Sequence, residues 1–186
     1  MSREGSVVSK THDLIFNTQY PRPTTDMEPI KVGMAEYKVA SNPAVLASIG
    51  LGSCIGIVLY DAFEKSGGLA HIMLPRSSDA KDKSNPAKFA DTAIELMLGE
   101  IESKGSLRRN IKAKVFGGAN MFPSVQSTTL MNVGERNAKV VKEELEKRKI
   151  KIVAEELGGN SGRTIYFDTK DGSVIVRTVK GGERVY

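Results

Sequence analysis

The chain has a single cysteine, no tryptophan, two histidines and 6% aromatic residues among its 186 positions. One cysteine excludes an internal disulfide, and together with two histidines it excludes a tetrahedral structural zinc site. No apolar run approaches the roughly 18 residues that a membrane span requires, so no membrane insertion is expected. The opening stretch MSREGSVVSKTHDLIFNTQYPRPTTDMEP lacks the apolar core of a secretory signal, and the expected compartment is the cytoplasm, where thiols stay reduced. Also missing is a block of one charge. The 27 basic and 22 acidic residues, a net +5, are interleaved, as at Lys139, Lys142, Glu143, Glu144, Glu146, Lys147 and Arg148. That is the pattern of a solvated helix face rather than of a nucleic-acid surface, and no RNA-binding aromatic signature accompanies it.

What is present is ordinary for a globular domain: 40% hydrophobic and 26% charged residues. Residues 1–28 mix Thr, Asn and Asp with Pro21 and Pro23 and show no periodicity, so they read as a tail or loosely docked arm before a folded domain at 29–186. IKVGMAEYKVA predicts a strand or two, which SNPAV then interrupts through Pro43. IGIVLYD (55–61) and GLAHIMLP (68–75) are short apolar strands joined by AFEKSGG, whose glycines suit the connection between antiparallel neighbours. Ala90, Ala93, Ile94, Met97, Leu98 and Ile101 form one apolar stripe, which predicts a helix over 86–104 with Asn85 as N-cap, Pro86 at N1 and Gly105 at C′.

KAKVFGG is a further strand. A second helix is expected over 133–149, opened by a capping box of Asn132 and Glu135 and burying Ala138, Val141 and Leu145. KIVAEE, RTIYFD and SVIVRTV complete the strands, the last two forming a hairpin that turns at Asp171 and Gly172. Most connections are too short for a crossover helix. The fold class expected is therefore α+β, a layered sandwich of mostly antiparallel strands with two main helices, rather than a parallel doubly wound sheet.

The stretch SIGLGSCI carries the residues with chemistry. A lone cysteine is most often a small buried hydrophobe. Here Gly50, Gly52 and Gly56 surround Cys54, and glycines permit a tight turn that leaves backbone N–H groups near Gly52, Ser53 and Cys54 free to hold an oxyanion. The pattern is one residue off the dinucleotide fingerprint and opens no helix, so nucleotide binding is discounted. His71, the one histidine of the domain, lies between Leu69 and Met73 and is either a satisfied core residue or the base for the cysteine. Seventeen positions separate the two, and an antiparallel pair of strands brings them back together. A third group usually orients such an imidazole; Ser48, Ser53, Asp61 and Glu64 are the candidates, and composition does not choose among them.

SIGLGSCIGIVLYD, GGLAHIMLP, NPAKFADTAIELML, KVFGGANMF, MNVGERNAKVV, AEELGGNSGRTIYFDTKDGSVIVR and KGGE together resemble, in order and spacing, the chemoreceptor glutamine deamidase family, CheD, from about Ile30 onward. The resemblance implies an α/β/β fold and a cysteine nucleophile at Cys54 with His71 as its partner. It implies as third member the hydroxyl residue six positions before the cysteine, commonly Thr in the family and Ser48 here. The implied substrates are glutamine side chains on the cytoplasmic helices of methyl-accepting chemotaxis receptors, converted to glutamate and ammonia without metal or organic cofactor. A CheC-type phosphatase is the implied further partner, and Met121 with Phe122 is the expected contact for it or for the receptor. The alternatives are a receptor methylesterase, since an ester forms the same thioester, and a regulatory binding module that acts mainly through the phosphatase.

Overall fold

The computed structural model describes residues 27–121, 133–178 and 181–186. Among the described residues ten strands form two five-stranded sheets, and two α-helices lie against one of them. The strands are β1 (Ile30–Lys31), β2 (Glu36–Ser41), β3 (Val45–Leu51), β4 (Ile55–Asp61), β5 (Ser66–Ile72), β6 (Lys112–Gly117), β7 (Lys151–Leu157), β8 (Arg163–Asp168), β9 (Val174–Thr178) and β10 (Gly182–Val185). Helix α1 (Ala90–Ser103) follows β5, and α2 (Val133–Lys147) connects β6 to β7.

One sheet runs β1-β3-β8-β9-β10 and the other β2-β5-β4-β6-β7. All pairs are antiparallel except β1 with β3 and β6 with β7. The β6–β7 pair is parallel because α2 carries the chain back across the sheet.

Strand β4 shows why the molecule has three layers. Its seven residues are all buried, since it lies in the middle of its sheet and both faces are covered. Ile55, Ile57 and Leu59 point to the helices, where they meet Ala93, Ile94, Met97, Val141 and Leu145. Val58 and Tyr60 point the other way, into an inter-sheet core with Leu46, Phe116, Ile165 and Phe167. The order helix, sheet, sheet agrees with the expected α+β sandwich.

The six predicted stripe residues of α1 are all fully buried. Its start differs. Asn85 and Pro86 open a separate 3-10 turn, Pro86–Lys88, in which Asn85 Oδ1 accepts from the Ala87 N–H at 3.0 Å. Phe89 is then extended, bridges to Leu74, and α1 begins only after it. On α2 the buried face is wider than expected: Val140, Asn137 and Glu144 join Val141 and Leu145, while Ala138 is only partly covered. The expected Asn132 cap lies outside the described residues. The glycines of AFEKSGG sit inside β5 rather than in the connection, which is closed instead by Lys65 at φ +46°. A side chain at Gly68 would meet Met97 of α1 at 2.7 Å, so its bareness lets the helix pack down. Among the described residues no helix is long and apolar enough to cross a membrane.

Candidate active site

The last turn of β3 is bulged. Ser48 pairs with Ile165 and Leu51 with Arg163, so Ile49 and Gly50 together oppose one residue of β8. Gly50 takes φ +75°, a conformation that suits glycine, and the strand bends there. Ser48 is left fully buried between the sheets while Ile49 turns outward, 54% exposed. The chain then crosses from one sheet to the other through Gly52, Ser53 and Cys54 and enters β4 at Ile55. Cys54 therefore sits where the chain changes sheets, half-buried against the inter-sheet core.

His71 is the penultimate residue of β5 and pairs with Gly56 of β4. A side chain at Gly56 would run into Ile165 and Leu51 within 2.8 Å, so that face of the pair looks into the gap between the sheets. His71 reaches across that gap, and its Nδ1 lies 2.8 Å from Ser48 Oγ. The bond joins the two sheets and engages Nδ1 rather than Nε2. His71 and Cys54 line the same cavity of about 310 Å³, whose wall also includes Val32, Gly33, Met34 and Ile49. Thiol, imidazole and hydroxyl, from three separate strands or their ends, are thus gathered at one place.

The electrostatics differ from a preformed ion pair. Burial pushes the Cys54 thiol above its ordinary value, an effect that its own backbone N–H partly offsets. Burial also holds the His71 imidazole below its ordinary value. Both shifts favour the neutral thiol beside the neutral ring at pH 7. Such a pair separates charge only when a proton moves.

Of the other candidates for the third group, Asp61 lies at the far end of β4 from Cys54, where Oδ1 accepts from the Phe63 N–H at 2.9 Å, and Glu64 is in the adjacent turn. Ser53 and Gly52 are held by their carbonyls. Ser53 O accepts from Asn137 Nδ2 at 3.0 Å, and Gly52 O accepts from the Ala119 N–H at 2.8 Å. Neither Gly52 nor Gly56 needs a positive φ. Met121, 42% exposed, lies over Gly52, with Cγ 3.1 Å from where a side chain there would start. Phe122 lies outside the described residues.

The glycine pair at the end of β6, Gly117 and Gly118, abuts the site and was not singled out from the sequence. Gly117 has φ +118°, and a side chain there would strike Cys54 O at 2.3 Å; the Gly118 N–H donates to that same oxygen at 2.9 Å. Asn137 was missed too. Its signal was available, because an amide stands on the apolar stripe of α2 one turn before Val141. Among the described residues no three of His, Cys, Asp and Glu gather as metal ligands would.

Residues 73–178 match the family model described as CheD, chemotactic sensory transduction. The segment begins two residues after His71. Similar curated proteins extend further. One from Desulforamulus reducens is 51% identical over 150 residues, 81% of this chain and 90% of its own length. One from Clostridium novyi is 50% identical over 155 residues, 83% and 96% of the two chains. One from Syntrophomonas wolfei is 49% identical over 156 residues, 84% and 97%. Each of the three is named "Probable chemoreceptor glutamine deamidase CheD".

Proposed function

The chain belongs to the CheD family, and from that membership we propose that it hydrolyses the side-chain amide of glutamines on chemoreceptors to glutamate and ammonia. The observation that carries the reading is the 2.8 Å bond from Ser48 to Nδ1 of a histidine that shares its cavity with the one cysteine. We place the activity in the domain 29–186 and in the cytoplasm, on the helices of methyl-accepting receptors.

In the proposed mechanism the resting site holds a thiol and a neutral imidazole with its proton on Nδ1, donated to Ser48 Oγ. When the glutamine carboxamide enters, Nε2 takes the thiol proton as the sulfur–carbon bond forms. The carbonyl oxygen becomes an oxyanion held by N–H groups of the turn, that of Cys54 among them. Nε2–H then protonates the amide nitrogen, the carbon–nitrogen bond breaks, and ammonia leaves a thioester. Water attacks the thioester while giving a proton to Nε2. The carbon–sulfur bond breaks, the sulfur recovers that proton, and glutamate is released. The cycle returns every proton it borrowed and needs no cofactor.

We place the contact for the receptor or for a CheC-type phosphatase at Met121 beside the turn, with Phe122 as its continuation. The test is incubation with a cytoplasmic receptor fragment, followed by peptide mass spectrometry for amide-to-acid conversion. Wild type is expected to convert discrete glutamines, and Cys54→Ala to convert none. Full conversion by Cys54→Ala overturns the mechanism. Methanol release from a methyl-esterified fragment that outpaces ammonia release moves the assignment to a methylesterase.

A further inference from the structure

Asn137 is fully enclosed on the apolar face of α2, yet its amide points at two backbone carbonyls. Nδ2 donates to Ser53 O at 3.0 Å and to Met73 O at 2.8 Å. An amide NH2 carries two hydrogens, and both are engaged here. Both partners are carbonyl oxygens, so only the nitrogen can meet them, and Oδ1 accepts no hydrogen bond. One of these carbonyls immediately precedes Cys54; the other follows His71 by two residues. A single side chain from the helix layer therefore ties together the two backbone segments that carry the thiol and the imidazole.

The Ser53 carbonyl and the Cys54 N–H belong to one planar peptide unit, which is trans, so the two point in opposite directions. Drawing the oxygen toward α2 turns the N–H away from the helix layer. Asn137 itself is not among the residues that line the cavity. We propose that Asn137 is a positioning residue: it fixes the Ser53–Cys54 peptide plane so that the Cys54 N–H is aimed at the oxyanion, and it keeps His71 in step through Met73. The proposal rests on the reading of Cys54 and His71 as the reacting pair. A two-donor side chain is what the task requires. A hydroxyl supplies one hydrogen, and a carboxylate none.

Asn137→Asp preserves the shape and reverses the chemistry. A carboxyl enclosed against two carbonyl oxygens titrates well above the ordinary value of about 4. When protonated it donates one of the two bonds, and when ionised it repels both oxygens. Ammonia release from the receptor fragment and iodoacetamide alkylation of Cys54 are followed from about pH 5 to pH 9 for wild type, Asn137→Asp and Asn137→Leu. The kcat of Asn137→Asp relative to wild type is expected to fall at least tenfold as pH rises, up to the roughly 100-fold at which outright loss of one oxyanion donor begins. KM is expected to stay within about twofold. In Asn137→Leu the alkylation midpoint is expected to rise, because the N–H that supports the thiolate is no longer held. A flat ratio, a loss carried by KM, or an unchanged midpoint in Asn137→Leu overturns the proposal.

Alkylation needs no receptor. If wild type releases no ammonia, the deamidase reading fails, while the midpoints still decide the role of Asn137. If Asn137→Leu does not fold by circular dichroism, the alkylation midpoint of Asn137→Asp, expected to lie above that of wild type, decides in its place. If neither variant folds, Asn137 is a folding determinant and the proposal is overturned.

Discussion

Ser48 is a hydroxyl with nowhere else to go. It is fully buried, and its Oγ meets His71 Nδ1 at 2.8 Å. Removing it with Ser48→Ala leaves a buried ring nitrogen without a partner, which costs about 1–3 kcal/mol and releases the tautomer that puts the basic lone pair on Nε2. We expect kcat for receptor deamidation to fall about 10- to 100-fold with little change in KM. Ser48→Thr keeps the hydroxyl and restricts χ1 through its extra methyl, so its kcat should stay within about threefold of wild type. A Thr variant as slow as the Ala variant would show that position 48 does not orient the imidazole through its hydroxyl.

At the scale of elements, the turn that carries Cys54 is held from outside by β6 and the residues after it. Gly117→Ala tests this. The substitution forces φ +118° on an alanine and drives its side chain into Cys54 O, which would start 2.3 Å away. Strain of this kind costs about 1–3 kcal/mol before the clash is counted. Thermal unfolding followed by circular dichroism should show a clear drop in Tm, and Cys54 alkylation should change rate because the turn has moved. An unchanged alkylation rate would mean that the turn does not depend on this approach.

Gly117 also shows what could be read in advance and what could not. Periodicity is local, and it located α1 residue by residue, from Ala90 to Ile101. It could not say that Gly117 serves Cys54, because that contact joins positions far apart in sequence. Asn85 and Pro86 are good start signals and do start a turn, but Phe89, buried and extended, separates that turn from the helix. β10 gave no signal because GERV is a short, exposed edge strand with no alternation. That Cys54 and His71 would come to one cavity was legible from two antiparallel strands and their connection. That Ser48 rather than Asp61 meets His71 was implied only by the family resemblance; periodicity could not show it, because it depends on a bulge in β3 and on which sheet each strand joins.

At the scale of the whole molecule, the layers are tied by carboxylates as well as by the core. Glu144 of α2 accepts from Arg76 after β5 at 2.8 Å and bonds Arg148, which reaches the Asp91 carbonyl of α1 at 3.1 Å. Glu156 of β7 accepts from Arg163 of β8 at 2.8 Å and from the Tyr186 hydroxyl at 2.6 Å, joining one sheet to the other. Burial pulls both carboxyls up, but hydrogen bonds outweigh it and leave both below their ordinary value: those of Arg148 and Arg76 at Glu144, and of Tyr186 and Arg163 at Glu156. Their stabilisation is present above the ordinary carboxyl value of about 4.3 and is lost as pH falls through the lowered folded values.

His71 acts earlier. Burial depresses its folded value, so the unfolded chain binds the proton first, and stability declines as pH falls below about 6.5. Tm plotted against pH should therefore descend in two stages, one beginning near pH 6.5 and one near pH 4. His71→Gln removes the titrating ring, and the upper stage should flatten while the lower one stays. Glu156→Gln should do the reverse: Tm falls at pH 7, by the equivalent of about 2 kcal/mol once the part of the pair that water reaches is discounted, and the lower stage becomes shallower. A His71→Gln variant that keeps the full upper stage would place that proton elsewhere, and the neutral ring assumed for the resting site would lose its support.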